Sequence, residues 1–581
     1  MFKVYKDIAW FFKQEWKKYL LMLFLLLTVS FITVIPADLL GSAIDKIAMR
    51  TMTKQILVQF VLGLVLVAVI RYVLDWFYHY LINFEGQKLS YQLRQRYLEK
   101  LFNMDAKLYE EYTKGELISR VTNDLQSLTF AATSLLQEIV YNGSLLIFTV
   151  IMMIVTINLN LTLASIILMP IAVSIIRYII NKMRRYYKTH RIIFANLTER
   201  ILESVEGVKV VRATVEETSD LTRLEEAIHK DINSWRRIVR FESLFGPAFD
   251  FVYSICYFIA FAYGSYLVVH QTITVGNLVT FTTYLAMLYG PLINLSNIFN
   301  QVNSAIISNE RFNQILDHEA DVKDPIVPKV IIDFNTIEFN HVSFKYPFEK
   351  HQVINDISFT INKGETIGIV GATGSGKSTV IRQLLREFNV TSGQILIDGS
   401  PIEDYKIEEV RNLVGYVPQS HILFKSSVDE NILIGNPSAD EQAVKTAIDF
   451  ADFKKDLPFL ANGLNTMIGE QGTTLSGGQK QRLSIARAIV RNPEILILDD
   501  SLSAVDAKTE ENIINNLKAM RNGKTNIIVA HRFSAIKEAN KIIVLSEGKI
   551  IDMGTHDELM THEGWYKDQY IKQNTMEKTG E

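Results

Sequence analysis

Cysteine is nearly missing from this chain. Cys256 is the only one in 581 residues, and it sits inside an apolar run. An intramolecular disulfide is thereby excluded, and so is a metal centre built from several thiolates. The residue reads as a small buried apolar side chain. Charge of one sign is missing too. The 60 Lys and Arg nearly balance the 63 Asp and Glu, leaving a formal net charge of −3. No basic footprint of the kind nucleic acid demands is present, so nucleic acid is not expected as a partner.

Apolar side chains are abundant, at 48% of the chain. That is high for a wholly soluble protein, and the length suggests several domains. The apolar residues concentrate in long runs before about residue 305, and a mixed, turn-rich composition follows. The N-terminus carries Lys3, Lys6, Lys13, Lys17 and Lys18, and the first run covers 19–40. About 20 apolar residues suffice to cross roughly 30 Å of hydrocarbon as a helix. The run is longer than a signal-peptide core and more runs follow, so it reads as a retained span. Pro36 is expected to kink or end it. Further runs cover 56–81, 135–157, 161–180, 247–269 and 275–298, which makes six expected spans.

The third and fourth runs are joined by a short uncharged turn at Asn158-Leu159-Asn160, and the fifth and sixth by one at Gln271-Thr272. The connections at 82–134 and 181–246 are long and rich in Lys and Arg. Such segments stay in the cytoplasm. Both termini and both long connections are therefore expected on the cytoplasmic side of the cell membrane. The loop holding Lys46, Arg50 and Lys54 is a mild exception. Residues 82–104 and 181–210 keep helical periodicity with few Gly or Pro, so the helices should extend beyond the membrane. The breaks at 105–115 and 211–217 would be the tips of helical hairpins. Polar groups inside the runs are Arg71, Asp75, His79, Asn142, Arg177, Asp250 and Asn294. They are costly in lipid and should face partners or a cavity. Arg71 and Asp75, spaced i, i+4, are expected to pair. Tyr253, Tyr257, Phe258, Phe261, Tyr284 and Tyr289 would suit an amphipathic ligand or simple helix packing.

After Arg311 the chain turns charged and then carries Pro325 and Pro328, where a domain boundary is placed. Strand-like alternation follows over Ile337 to Tyr346. Next comes Gly371-Ala372-Thr373-Gly374-Ser375-Gly376-Lys377-Ser378, the pattern of a phosphate-binding loop. Before it lies an apolar stretch ending at Val370, read as a buried strand. After it Thr379 opens a helical stretch. The glycines let backbone N–H groups curl around phosphate oxygens, and the helix N-terminus adds partial positive charge. Lys377 has the reach for the β- and γ-phosphates, and the Ser378 hydroxyl suits Mg²⁺. Far along the chain, Ile495-Leu496-Ile497-Leu498-Asp499 reads as a central parallel strand ending in a carboxylate. Asp499 would hold the Mg²⁺ hydration shell opposite Ser378. Between the two stands Leu475-Ser476-Gly477-Gly478-Gln479, a Ser-Gly-Gly segment opening a helix, which is another anion cradle.

That last segment resembles the signature of ATP-binding-cassette (ABC) proteins. With six spans before the cassette, the whole chain resembles a half-transporter of the exporter type. The resemblance implies further roles. Tyr346 is similar to the aromatic residue that stacks on adenine. Gln419, in Val417-Pro418-Gln419, resembles the residue that ligates Mg²⁺ and senses the membrane domain. Ser503-Ala504-Val505-Asp506 resembles the D-loop, and His531 the switch histidine at the γ-phosphate. The family pairs two halves and holds two ATP molecules between the cassettes, each between one phosphate loop and the opposite signature. The breaks at 105–115 and 211–217 match its coupling helices.

One residue departs from the family pattern. Glutamate usually follows the strand aspartate, to orient or deprotonate the attacking water; here it is Asp500. Aspartate is one methylene shorter, and misplacing a catalytic group by about 1 Å costs on the order of 100-fold. A short carboxylate beside an intact signature resembles one half of a heterodimeric multidrug exporter, whose two composite sites differ in activity. The partner is then a second, different half-transporter, and the cargo an amphipathic small molecule. The rivals are a homodimeric lipid or lipid-linked exporter and a nucleotide-sensing membrane regulator. The expected architecture is an α-helical six-span transmembrane domain over 1–320 with long cytoplasmic helical extensions. A linker over 321–332 and an α/β P-loop nucleotide-binding domain over 333–581 follow.

Overall fold

The computed structural model describes residues 2–469, 472, 475–503 and 505–579. The chain forms two compact units. One joins Met1–Glu99 to Leu117–Asp317, the other Lys100–Glu116 to His318–Glu581. The short stretch 100–116, read from the sequence as part of the first domain, thus groups with the second.

The first unit is all helical. Among the described residues, Trp16–Ala48, Lys54–Phe102, Lys114–Ile157 and Glu217–Val269 are long and apolar enough to cross a membrane. They contain the first, second, third and fifth expected spans. The other two expected spans are helical, and each includes residues whose side chains lie outside the described residues. Residues 161–180 are divided between helices Leu159–Ile166 and Met169–Glu206, with Pro170 at the start of the second. Residues 275–298 lie in helix Val275–Leu316, which runs through Pro291. Pro36 does not end its helix, which runs on to Ala48.

The extensions are helical as expected, since Lys54–Phe102 and Met169–Glu206 continue without a break. The short turns are built by local chemistry. The Asn158 side chain accepts from the N–H of Leu161 at 3.1 Å and starts the next helix. Gln271 takes a left-handed φ of 56°, and Thr274 caps the last long helix by accepting from the N–H of Asn277.

Most of the polar groups in the spans have partners. Tyr289 Oη donates to Asp250 at 2.6 Å, and Asn294 Nδ2 lies 3.4 Å from Asn142 Oδ1. Asp75 does not pair with Arg71 as expected. Its Oδ1 stands 3.7 Å from His79 Nε2, the other i, i+4 neighbour, one turn further on. The Arg177 side chain lies outside the described residues.

The second unit is an α/β domain with ten strands among the described residues: β1 (Thr336–Phe344), β2 (Ile354–Asn362), β3 (Thr366–Gly371), β4 (Ser392–Ile397), β5 (Ser400–Pro401), β6 (Val414–Val417), β7 (Ile495–Asp499), β8 (Thr525–Val529), β9 (Lys541–Ser546) and β10 (Lys549–Gly554). A four-stranded antiparallel sheet has the order β2-β1-β4-β5, and a six-stranded sheet the order β10-β9-β3-β8-β7-β6. In the larger sheet β3, β6, β7, β8 and β9 run parallel. All five residues of β7 and of β8 are buried, which accounts for the apolar stretches Ile495–Leu498 and Ile527–Val529. The parallel register sets Asp499, the last residue of β7, opposite Val529 of β8. The phosphate loop leaves the C-terminal end of β3 on the same edge, where ligands sit in open parallel sheets.

Candidate nucleotide-binding site

Residues 371–378 turn from β3 into helix Lys377–Leu384. Two glycines are required by the backbone. Gly371 has φ 154°, and a Cβ there would meet the Leu545 carbonyl oxygen at 2.1 Å. Gly376 has φ 97°, with the Val353 carbonyl oxygen 2.9 Å from its would-be Cβ. Lys377 folds back over the loop, and its Nζ donates to the carbonyls of Gly371 at 2.8 Å and Ala372 at 2.9 Å. Burial lowers the pKa of this ammonium, against the pull of Asp500 and Asp499.

Ser378 Oγ donates to Asp499 Oδ1 at 3.0 Å, and Tyr416 Oη donates to Asp499 Oδ2 at 3.3 Å. Two motifs separated by 121 positions thus meet in one contact. Burial pushes the Asp499 carboxyl above the usual range, while these two hydrogen bonds pull it down. The next residue, Asp500, leaves the strand in a left-handed conformation with φ 46°. Its N–H donates to Val529 O at 2.9 Å, and Gln419 Nε2 lies 3.4 Å from its Oδ2. Thr373, Gly374, Ser375, Gly376, Lys377, Ser378 and Thr379 share a cavity of about 200 Å³ with Gln419, Asp499, Asp500 and His531. Tyr346 stands beside this group, its hydroxyl 3.1 Å from Thr379 Oγ1. The Ser375 hydroxyl is buried with no partner among the described residues.

The remaining nominated residues lie elsewhere. Ser476 caps helix Gly477–Ile489 in a reciprocal arrangement with Gln479. Neither they nor Gly477 and Gly478 line the phosphate-loop cavity. Asp506 caps helix Ala507–Met520, accepting from the N–H and hydroxyl of Thr509. These bonds hold its carboxyl at about 2. Ala504 of the D-loop segment lies outside the described residues.

Over residues 19–292 the chain matches the family described as ABC transporter transmembrane region, and over 354–503 the family described as ABC transporter. It is 40% identical over 575 residues to the "Probable multidrug resistance ABC transporter ATP-binding/permease protein YheI" of Bacillus subtilis (strain 168). That alignment covers 99% of this chain and 98% of the relative. The chain belongs to the ABC transporter family. It is also 32% identical to the "Multidrug resistance-like ATP-binding protein MdlA" of Escherichia coli (strain K12), over 98% of this chain and 96% of the relative. Its fold matches a solved bacterial Atm1-family ABC exporter with ATP bound, at TM-score 0.80, 24% identity, 96% of this chain and 98% of that chain.

As an ABC exporter subunit the chain binds ATP through its cassette, and the site has the features such a ligand needs. A Cβ at Gly374 would meet nothing within 4 Å, so the loop leaves open space there. Lys377 occupies itself with carbonyls that a phosphate would displace. Ser375 Oγ is an orphan hydroxyl within the lining. Ser378 and Asp499 together offer a hydroxyl and a carboxylate of the kind Mg²⁺ takes.

Sequence reasoning missed two participants. Tyr416 holds Asp499 from β6, and only the polar hydroxyl in an otherwise apolar strand hinted at it. Arg382 was read merely as part of a helix. It donates to Tyr346 Oη at 3.0 Å and Glu387 Oε2 at 2.7 Å, with Phe388 beneath its plane.

Proposed function

We propose that this chain is one half of a heterodimeric, ATP-driven multidrug exporter, similar to the BmrC half of the bacterial exporter BmrCD. The observation that carries the reading is Asp500. It follows Asp499 where the family usually has glutamate, and it lines the cavity beside Gln419 and His531. The chain's own site then binds ATP and hydrolyses it weakly. Ser476, Gly477, Gly478 and Gln479 serve the partner's phosphate loop. Their absence from this chain's own cavity supports that division.

In this reading bound Mg·ATP supplies the phosphoanhydride that is cleaved. Lys377 and the loop N–H groups would hold the β- and γ-phosphates, Ser378, Asp499 and Gln419 would hold the metal, and Tyr346 would pack on the base. Asp500 and His531 orient water and the γ-phosphate. Asp506 connects the cassette to its partner. Six spans, with both termini and the cassette in the cytoplasm, complete the picture. Cysteines placed at Asn160 and Gln271 are labelled from outside and one at Gly115 is not; the reverse pattern would sink this topology. The names of the curated relatives favour amphipathic drugs as cargo, and the ring cluster Phe249–Tyr289–Tyr253, with centroids 5.1 Å apart, is consistent with such a ligand.

The test is to purify the chain from its native membrane and identify any half-transporter that accompanies it. Alone, the chain should hydrolyse ATP slowly. With its partner, the rate should exceed the sum of the two. A fast homodimer would refute the heterodimeric reading.

A further inference from the structure

His531 comes just after β8 and borders two cavities. One is the phosphate-loop cavity. The other, of about 410 Å³, is lined by Gly371, Ala372 and Thr373 and by Trp565, Gln569 and Gln573 of helix Trp565–Thr579. Among the described residues no hydrogen bond reaches the His531 imidazole. Its aim therefore depends on how its backbone is held.

The next residue, Arg532, is tied through its side chain to Glu510 Oε2 at 2.9 Å. Gln573 grips the backbone itself. Its Oε1 accepts from the Phe533 N–H at 3.0 Å, and its Nε2 donates to the His531 carbonyl oxygen at 3.4 Å. A carboxamide presents one carbonyl and one N–H side by side, so it can bracket Arg532 much as a neighbouring strand would. The Phe533 donor decides which end of the amide is oxygen. Gln573 is itself seated. Tyr566, Tyr570 and Gln573 fall at i, i+4 and i+7 on one face of their helix. The buried Phe533 ring meets that face edge-on, 5.0 Å from Tyr566 and 5.9 Å from Tyr570.

We propose that Gln573 is a positioning residue for His531: its carboxamide clasps the backbone on both sides of Arg532 and so fixes the imidazole for the γ-phosphate of bound ATP. The inference rests on the reading of His531 as a γ-phosphate contact. It does not depend on the heterodimeric reading or on the cargo. Gln573 does not line the phosphate-loop cavity, so its effect on nucleotide passes through His531. ADP has no γ-phosphate and should not feel it.

The test measures dissociation constants for ATP and ADP on the full chain in detergent, by competition with a fluorescent nucleotide. The ratio of the ADP constant to the ATP constant isolates the γ-phosphate. His531→Ala should lower this ratio. Gln573→Met keeps the length of the side chain and removes both hydrogen bonds. It should lower the ratio about two- to tenfold and leave ADP affinity unchanged. Gln573→Glu keeps an acceptor for the Phe533 N–H and should retain part of the preference. In the His531→Ala background Gln573→Met should have no further effect, and a further drop there would overturn the proposal. So would a ratio untouched by Gln573→Met while His531→Ala lowers it, a result that leaves the role of His531 standing. Equal loss of ATP and ADP affinity in Gln573→Met would make the residue a support of the fold alone and overturn it too. A ratio indifferent to His531→Ala would remove the γ-phosphate reading of His531, and this inference with it.

Discussion

The Arg382 guanidinium lies 3.0 Å from the carboxylate of Glu110. Arg382 belongs to the helix that begins at Lys377, and Glu110 to the short helix Ala106–Glu111. Around this pair the stretch 100–116 is tied down by several bonds. Asp105 Oδ2 accepts from the N–H groups of Asp321 and Val322, Lys107 pairs with Asp321, and Ala106 packs on the core under β1 and β3. Arg382 also touches Tyr346 and Phe388, so one side chain connects residue 110 to the nucleotide region.

That connection predicts partial uncoupling by Glu110→Gln. Both members of the pair are partly exposed, so the contact is worth up to ~1 kcal/mol. ATP affinity should stay unchanged, while stimulation of the ATPase by transported compounds falls about two- to fivefold. Arg382→Ala should do more, because the contacts to Tyr346, Glu387 and Phe388 go as well. Dose–response curves of stimulated ATPase measure both. Equal stimulation in Glu110→Gln and the unmodified protein would disprove the link.

A second prediction concerns packing between helices Trp16–Ala48 and Val275–Leu316. A Cβ on Gly276 would lie 2.1 Å from the Gly41 carbonyl oxygen and 2.5 Å from the Asp45 carboxylate. Asp45 in turn accepts from the Thr274 hydroxyl at 2.6 Å and the Gly276 N–H at 2.7 Å. Gly276→Ala must push the helices apart, at a cost of about 1–3 kcal/mol. It should lower the temperature of thermal inactivation in detergent. An unchanged inactivation temperature would mean that the helices separate freely at this point.

Much of the site was legible because its motifs are local. A loop that must cradle phosphate needs its glycines in sequence, and a buried strand ending in Asp499 announces itself. Tyr416 and Arg382 were not legible, since what they do depends on strand order and on contacts between elements distant in the chain. The same holds for 100–116, whose place with the cassette rests on Asp105, Ala106, Lys107 and Glu110 meeting residues over two hundred positions away. In the helical unit, apolar runs revealed the helices. Pro36 does not end its helix because a long helix held by its neighbours can absorb one lost hydrogen bond.

A third prediction turns on Asp499. Its carboxyl pKa is raised in the folded protein, chiefly by burial. The unfolded chain therefore loses this proton at lower pH than the folded one. Stability is lost as pH rises from the unfolded value through the folded one, and at pH 7 the ionised group is a net cost. Asp499→Asn should raise the Tm of the nucleotide-free protein at pH 7, by about 2–4 °C for each ~1 kcal/mol recovered. The gain should shrink towards pH 4. The same variant should lose the extra stabilisation that Mg·ATP gives the unmodified chain. Thermal scans across pH, with and without Mg·ATP, check both signs. A variant less stable than the parent at every pH would show that the Ser378 and Tyr416 hydrogen bonds outweigh burial.

The last prediction tests asymmetry between the two nucleotide sites of the assembled pair. Asp500 leaves β7 with a left-handed backbone, and its carboxylate sits 3.4 Å from Gln419 Nε2 inside the phosphate-loop cavity. It is a methylene shorter than the residue the family usually places there, and the proposed asymmetry rests on that shortening misplacing the in-line water. Ser476, by contrast, is in place: it caps helix Gly477–Ile489 by accepting from the N–H of Gln479, at a helix start whose first N–H groups have no acceptor within the helix. If the productive site joins the partner's phosphate loop to this signature, the two residues must respond differently. Asp500→Asn should then change steady-state turnover of the pair less than about threefold, because on that reading this chain's own site contributes little to it. Ser476→Arg should reduce turnover by at least about 100-fold, since a bulky cation would fill the anion cradle that closes on the γ-phosphate. Trapping of labelled ATP at this chain's own loop should survive Asp500→Asn. Equal damage from the two substitutions would mean that Asp500 is itself catalytic, and the heterodimeric reading would lose its main support.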